Sequence, residues 1–266
     1  MENGHVEANG QRLYYEVHGE GEPVVLIGGW GDDVNAWAFQ IPALAKHFKV
    51  ITFDNRDIGR SSEATGSYSM KDMAEDTAGL LEGLDIRAAH IIGWSMGGAI
   101  SQELVLRHPE KVRKLILAAT MAQFSRFHCW LIEPMKFVKK NDSENRTFFE
   151  LMLALCMTHE FLKKQEAVEE FLREMEANPF PQSPEEFERQ GHAINSFDAL
   201  DRLHEVKTPT LVLGAEQDIL TPPWAMRELA EAISGAKIEM LEGGGHGFFW
   251  EIPDAANDAL LKFLKA

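Results

Sequence analysis

Apolar and polar residues alternate along the first part of the chain in a strand-helix rhythm. Short runs rich in Val, Ile and Leu, typical of buried strands, are separated by longer stretches in which apolar residues recur at helical spacing. The pattern predicts strands at 12–18, 24–27, 49–54, 89–94 and 114–119, and helices at 36–47, 70–83 and 97–107. Such alternation is typical of right-handed βαβ units, which build a parallel sheet covered by helices on both faces.

The rhythm stops in the middle of the chain. From about residue 121 to 200 the sequence contains no convincing strand and is rich in Phe, Met and Leu, and 161–175 predicts one amphipathic helix. Strands at 210–214 and 237–241, with helices at 224–234 and 254–264, then restore the earlier pattern. We therefore expect one α/β core, built from 1–120 and 201–266, with a helical insertion at 121–200.

Composition narrows the classes of partner. The 266 residues include 26 Lys and Arg against 42 Asp and Glu, a formal net charge of −16 at pH 7. Such a chain repels polyphosphates and anionic membrane surfaces, which argues against nucleic-acid and membrane partners. Two cysteines, Cys129 and Cys156, are too few for a disulfide framework and lack metal-ligand spacing. Without a signal-like N-terminus or a long apolar run, the sequence predicts a cytoplasmic protein.

The candidate chemistry centres on Ser95, which lies in Gly93-Trp94-Ser95-Met96-Gly97 between a predicted strand and a predicted helix. This Gly-x-Ser-x-Gly spacing is typical of a nucleophile elbow, in which glycines allow a sharp turn that presents the hydroxyl. The helix N-terminus favours negative charge, so the N–H of Met96 is predicted to face an oxyanion. A flexible turn without chemistry is the alternative interpretation of the pentapeptide taken alone.

A serine hydroxyl needs a general base, and the base needs an orienting acid. His246 stands in a glycine-rich loop after the last predicted strand, and Asp218 follows the strand before it. Because the carboxyl ends of parallel strands share one edge of a sheet, both side chains are expected to reach Ser95. Glu216 and Asp201 remain alternatives to Asp218 as the acid.

A second glycine-rich loop, Gly-Gly-Trp-Gly-Asp-Asp at 28–33, follows the early strand at 24–27. Such a loop can offer a backbone N–H to an oxyanion that forms at the elbow. By position Trp30 is the first candidate for this donor and Gly29 the second. A simple turn is again the alternative.

Together these features resemble the α/β-hydrolase superfamily along the whole chain. The segment Asp-Asn-Arg-Asp-Ile-Gly-Arg-Ser-Ser at 54–62 is similar to that family's Asp-x-Arg-Gly-x-Gly-x-Ser turn, with Asp57 where glycine is commoner. Gly28-Gly29 stands where His-Gly is commoner. The resemblance implies an α/β-hydrolase fold with a mostly parallel eight-stranded sheet and helices on both faces. It also implies that 121–200 form a helical cap, or lid, over the active site.

Within the superfamily the chain is most similar to esterases and lactonases related to 3-oxoadipate enol-lactonase. This resemblance implies a serine hydrolase, a carboxylesterase or lactonase, that uses Ser95, His246 and Asp218 and needs no metal and no organic cofactor. Three alternatives remain open. Two are enzymes that share the catalytic residues, a carbon–carbon bond hydrolase and a perhydrolase or haloperoxidase-like enzyme. The third is a ligand-binding receptor or signalling protein that retains the fold and turns over slowly.

The apolar character of the insertion predicts a neutral, partly apolar small-molecule ester or lactone as substrate. Candidate substrate-binding residues are Gly29, Phe124, Phe127, Trp130, Phe149, Met152 and Phe248. Packing of the insertion onto the sheet is the alternative role for each apolar member of this set. The sequence does not select one ester or lactone, and it leaves the oligomeric state open, a homodimer included.

Overall fold

The structure, a computed structural model, describes residues 1–142 and 145–266. Its eight strands form one sheet in the order β1-β2-β4-β3-β5-β6-β7-β8. They are β1 (Glu2–Ala8), β2 (Gln11–His18), β3 (Pro23–Ile27), β4 (Lys49–Phe53), β5 (Ala89–Trp94), β6 (Val112–Ala118), β7 (Thr210–Ala215) and β8 (Lys237–Leu241). Strand β2 pairs antiparallel with β1 and with β4, and the other neighbours are parallel. The predicted mostly parallel, eight-stranded sheet is confirmed.

Helices cover both faces of this sheet. The α-helices of the described residues are α1 (Ile41–Leu44), α2 (Met70–Gly83), α3 (Met96–Arg107), α4 (Arg126–Asn141), α5 (Arg146–Cys156), α6 (His159–Leu162), α7 (Gln165–Glu176), α8 (Pro184–Asn195), α9 (Pro223–Ala232), α10 (Phe248–Glu251) and α11 (Pro253–Lys265). Helices α2, α3 and α9 share a buried apolar cluster with one face, and α1, α10 and α11 share another with the opposite face. Among the described residues no helix is both long and apolar enough to cross a membrane.

Several local predictions are confirmed and others are wrong. Helix α2 has the predicted bounds, and its start is fixed because the Asp72 carboxylate accepts the Ser69 N–H at 2.8 Å. The helix predicted at 36–47 is instead a 3₁₀ turn at Val34–Trp37 followed by the one-turn helix α1. Strand β1 was not predicted, because this polar edge strand buries few of its residues.

Between β6 and β7 the described residues form helices α4 to α8. They contain no strand beyond one isolated β-bridge, as predicted for this insertion. The single helix predicted at 161–175 is wrong, since α6 ends at Leu162 and α7 begins at Gln165. Met135, Phe148 and Phe187 join α4, α5 and α8 in an apolar cluster. The division into a core and a separate cap subdomain at 121–200 stays a prediction.

Asp57, which stands where glycine is commoner, connects the turn after β4 to helix α8. Its backbone is left-handed, with a φ of 64°, a conformation that costs a non-glycine residue about 1 kcal/mol. Its fully buried carboxylate accepts two hydrogen bonds from the Arg189 guanidinium at 2.9 Å and one from the Tyr68 hydroxyl at 2.8 Å. The backbone strain at Asp57 is therefore offset by a bidentate ion pair that joins two segments distant in the sequence.

Candidate active site

Ser95 occupies the sharp turn between β5 and α3. Its backbone has φ 55° and ψ −117°, a strained conformation for a residue with a side chain. A Cβ atom at Gly97 would collide with the carbonyl oxygen of Ile27, and one at Gly93 would collide with the carbonyl oxygen of Gly97. Glycine is therefore required on both sides of the serine, as the elbow interpretation predicts.

Three of the predicted side chains form a hydrogen-bonded series. His246 Nε2 lies 3.0 Å from Ser95 Oγ, and His246 Nδ1 lies 2.9 Å from Asp218 Oδ2. His246 and Asp218 are buried, whereas Ser95 keeps partial exposure. Glu216 and Asp201, the alternative acids, are exposed to solvent. The structure therefore brings Asp218, and neither alternative, to the imidazole.

The loop around Asp218 fixes the orientation of its carboxylate. Oδ1 accepts the backbone N–H groups of Leu220 and Thr221, each at 2.8 Å. Oδ2 accepts the Thr221 hydroxyl at 2.6 Å in addition to His246. Since each oxygen has its own donors, the carboxylate cannot turn without breaking several hydrogen bonds.

Trp94, the residue before the serine, supports the histidine loop, a role that was not predicted. Its indole N–H donates to the backbone carbonyl of His246 at 3.2 Å. Its ring also packs edge-on against Trp250, with 4.6 Å between the centroids. The Trp94 side chain thus joins the elbow to the histidine loop and to helix α10.

The early glycine-rich loop places backbone N–H groups beside the elbow. The Gly29 N–H donates to Asp32 Oδ2 at 2.9 Å, and the Gly31 N–H donates to Gln190 at 3.2 Å. Within the described residues, the N–H groups of Trp30 and Met96 have no acceptor. The Gly29 N–H is thus already engaged, and Trp30 as the first candidate donor stays a prediction.

Ser95 and His246 line a cavity of about 560 Å³. Four of the candidate substrate-binding residues line it as well, namely Gly29, Phe124, Phe149 and Met152. The other three candidates are corrected. Phe127 and Trp130 are 44% and 71% exposed on the outer face of α4, and Phe248 is fully buried against Phe249 in the core.

Titratable residues that were not predicted also line the cavity, His128 and Asp32 among them. His128 of α4 is buried and donates from Nε2 to the carbonyl of Leu220 at 2.6 Å, and burial lowers the pKa of its imidazole. Asp32 is half-buried, and its desolvation raises its pKa to about 7, although the Gly29 N–H opposes this shift. The cavity therefore holds a carboxyl group that titrates near neutral pH.

Asp32→Asn is expected to stabilise the protein more at pH 8 than at pH 5. The native carboxyl keeps its proton up to about pH 7, whereas the unfolded one loses it near pH 4, so stability falls as pH rises between these values. Asparagine removes the buried charge and retains an acceptor for the Gly29 N–H. The free energy of unfolding should therefore rise by on the order of 2 kcal/mol at pH 8. Urea unfolding at both pH values measures it, with the exposed Asp258→Asn as control. An equal change in the free energy of unfolding at both pH values would contradict a raised pKa for Asp32 in the folded protein.

Comparisons with known proteins agree with this architecture. A relative from Azorhizobium caulinodans, provisionally named carbamate hydrolase RutD, is 33% identical over 251 residues that cover 94% of each chain. A Mycobacterium tuberculosis relative provisionally named non-heme bromoperoxidase BpoC is 32% identical over 255 residues, 94% of this chain and 97% of that one. The crystal structure of an enol-lactonase from Burkholderia xenovorans superposes with a TM-score of 0.90 at 27% identity, over 99% of this chain and 100% of that one.

A match to a family model also covers most of the chain. The family model described as alpha/beta hydrolase fold matches residues 22–253, a span that runs from the start of β3 to the start of α11. This span includes the elbow, the loop of Asp218 and the loop of His246. By its fold and by this match, the chain belongs to the alpha/beta hydrolase fold family.

Proposed function

We propose that this protein is a serine hydrolase that cleaves a carboxylic ester or lactone through an acyl-enzyme. The observation that carries the proposal is the hydrogen-bonded series from Ser95 through His246 to Asp218 at the wall of the cavity. Nucleophile, base and orienting acid in mutual contact are what acyl transfer to water requires. The hydrolases among its relatives support the same reaction class.

In the proposed reaction Ser95 Oγ attacks the substrate carbonyl while His246 Nε2 takes the hydroxyl proton. Asp218 accepts the Nδ1–H, which holds the imidazole in the tautomer that can act as base and stabilises the imidazolium. His246 then gives its proton to the leaving alkoxide oxygen. A water molecule, activated in turn by His246, attacks the acyl-enzyme and releases the acid and free Ser95.

The N–H groups of Trp30 and Met96 are the proposed donors to the tetrahedral oxyanion. Their lack of other acceptors among the described residues supports this role. Each such donor typically lowers the barrier by about 3 kcal/mol. The Met96 N–H also lies at the start of α3, where the helix dipole favours negative charge.

A fluorophosphonate probe tests the proposal directly. We expect it to label the protein and add one adduct that peptide mass spectrometry assigns to Ser95. Ser101→Ala, which removes a buried hydroxyl bonded to Gly97 O in the same helix, is a control that should label normally. Labelling that persists in Ser95→Ala would exclude Ser95 as the nucleophile.

A substrate panel then tests the ester and lactone chemistry against the receptor alternative. The panel includes 4-nitrophenyl esters, lactones and, because one relative is named as a carbamate hydrolase, aryl carbamates. Steady multiple turnover of an ester or lactone supports the proposed function. A single burst without further turnover would favour the receptor alternative instead.

A further inference from the structure

A lysine lies in the wall of the same cavity. Lys139 is on the inner face of α4, together with His128, Ile132 and Met135, and its side chain is only 7% exposed. Lysine is among the residues least often buried, because an ammonium removed from water loses much of its hydration free energy. A buried lysine at a cavity wall therefore needs a compensating partner.

The partners in the structure are aromatic rings. Lys139 Nζ lies 4.3 Å from the ring centroid of Phe148 and 5.5 Å from that of Phe187. Cation–π contacts of this kind offset only part of the desolvation of an ammonium. Burial accordingly lowers the pKa of Lys139 to about 8, so the group is still mostly protonated at neutral pH.

No carboxylate of residues 1–142 and 145–266 lies within salt-bridge distance of this ammonium. The two acids that act on it from nearby, Glu186 and Asp142, are engaged elsewhere. Glu186 accepts the Ser183 N–H at 2.6 Å, and Asp142 accepts the Phe148 N–H at 2.9 Å, so each caps a helix start. The ammonium therefore faces the cavity without a directly bonded counter-ion from the described chain.

A short series of stacked rings connects Lys139 to the glycine-rich loop at 28–33. The indole of Trp30 stacks on Phe187 with 3.9 Å between centroids, and Phe187 is the ring that Lys139 also contacts. Ser95, these rings and Lys139 all line the one cavity, so a single bound molecule can contact aromatic surface between the hydroxyl and the ammonium.

The acids of the cavity lie elsewhere on its wall and favour one orientation. Asp32 is at the Ser95 end, since both would contact a side chain at Gly29. Asp33, the next residue, and Glu174 of α7 also line the cavity, and Asp33 accepts a hydrogen bond from the Asn178 side chain at 3.0 Å. An anionic group is attracted to Lys139, and it is repelled at the Asp32 end once Asp32 has lost its proton, above about pH 7.

We propose that Lys139 binds the carboxylate of an anionic ester or lactone, whose carbonyl lies at Ser95 and whose apolar chain lies along Phe148 and Phe187. The proposal rests on the proposed function and replaces the neutral substrate expected from the sequence. An ion pair formed in this desolvated wall is stronger than one at the surface, and it supplies a counter-ion that the ammonium does not have among residues 1–142 and 145–266.

The test compares mono-4-nitrophenyl esters of adipic, pimelic and suberic acids with the same esters whose distal carboxylate is methylated. For each pair the ratio of kcat/KM, anionic over neutral, is measured in the wild type, Lys139→Met and Lys140→Met. Lys140 is the neighbouring exposed lysine on α4, so its variant removes the same charge without changing the cavity. At the best chain length we expect Lys139→Met to lower the ratio roughly 10- to 100-fold, and Lys140→Met to retain it.

Thermal unfolding distinguishes this role from a structural one. Methionine fills the same apolar wall without a buried charge, so Lys139→Met is expected to raise Tm if the lysine is retained for binding. A lower Tm with an unchanged ratio would mean that Lys139 only packs on the rings, and would overturn the proposal. Equal ratios in the wild type and both variants would overturn it as well.

The proposed function can fail separately from this inference. If no ester in the series is hydrolysed, the hydrolase proposal fails, and calorimetric titration with adipate then decides the role of Lys139. Adipate binding that weakens at least 10-fold in Lys139→Met but not in Lys140→Met would support the carboxylate site. Adipate binding that is absent or equal in all three proteins would overturn it.

Discussion

Ser95→Ala is expected to lower kcat for ester hydrolysis roughly 10⁴- to 10⁶-fold while the protein stays folded. The loss is large because the hydroxyl is the atom that would form the acyl-enzyme, and no other group of the site can replace it. Some rate above the uncatalysed reaction should remain, since the N–H groups of Trp30 and Met96 still face a carbonyl. Initial rates with a 4-nitrophenyl ester measure the effect, and Ser101→Ala is the matched control.

A second variant at the same position separates chemistry from backbone strain. Ser95→Gly also removes the hydroxyl, but glycine adopts a φ of 55° without penalty, whereas alanine retains the strain. Both variants should be equally inactive, and Ser95→Gly should be more stable than Ser95→Ala by about 1 kcal/mol. Chemical denaturation measures the difference. A variant at Ser95 with near-native kcat would contradict the proposed mechanism.

The sheet and the elbow could be predicted from the sequence because local signals agree there. Helix α2 combines apolar periodicity with the Ser69–Asp72 cap, so its bounds were predicted correctly. Glycine is required at positions 93 and 97 because a Cβ atom at either would lie closer to a backbone oxygen than van der Waals contact allows. Strand β1 has no such signal, because it pairs with β2 alone and most of its side chains face water.

The cavity wall could not be predicted in the same way, because it depends on which face of α4 turns inward. Aromatic character favoured Phe127 and Trp130, yet the inner face consists of positions 128, 132, 135 and 139. That spacing of four, three and four residues was visible in the sequence, with Lys139 as a charged member of an otherwise largely apolar stripe. A lysine at such a position was the available signal for the carboxylate site proposed here, and it was missed.

Asp218→Asn is expected to lower kcat roughly 10⁴-fold with little effect on the fold. The amide is nearly the same size as the carboxylate, so the loop can keep its shape. The hydrogen bonds determine how the amide is oriented. Its oxygen accepts the N–H groups of Leu220 and Thr221, as Oδ1 of the aspartate does at 2.8 Å, and its NH₂ group then faces His246.

This orientation imposes the wrong tautomer on the base. An NH₂ group that donates to Nδ1 of His246 leaves the ring proton on Nε2, the atom that should receive the proton of Ser95. Glu216→Gln makes the same chemical change at the exposed acid two residues earlier, so its kcat should remain within a few-fold of the wild type. The two variants compared in one kcat assay identify the acid. Equal, small losses would mean that the Asp218 carboxylate stabilises the loop and does not orient the base.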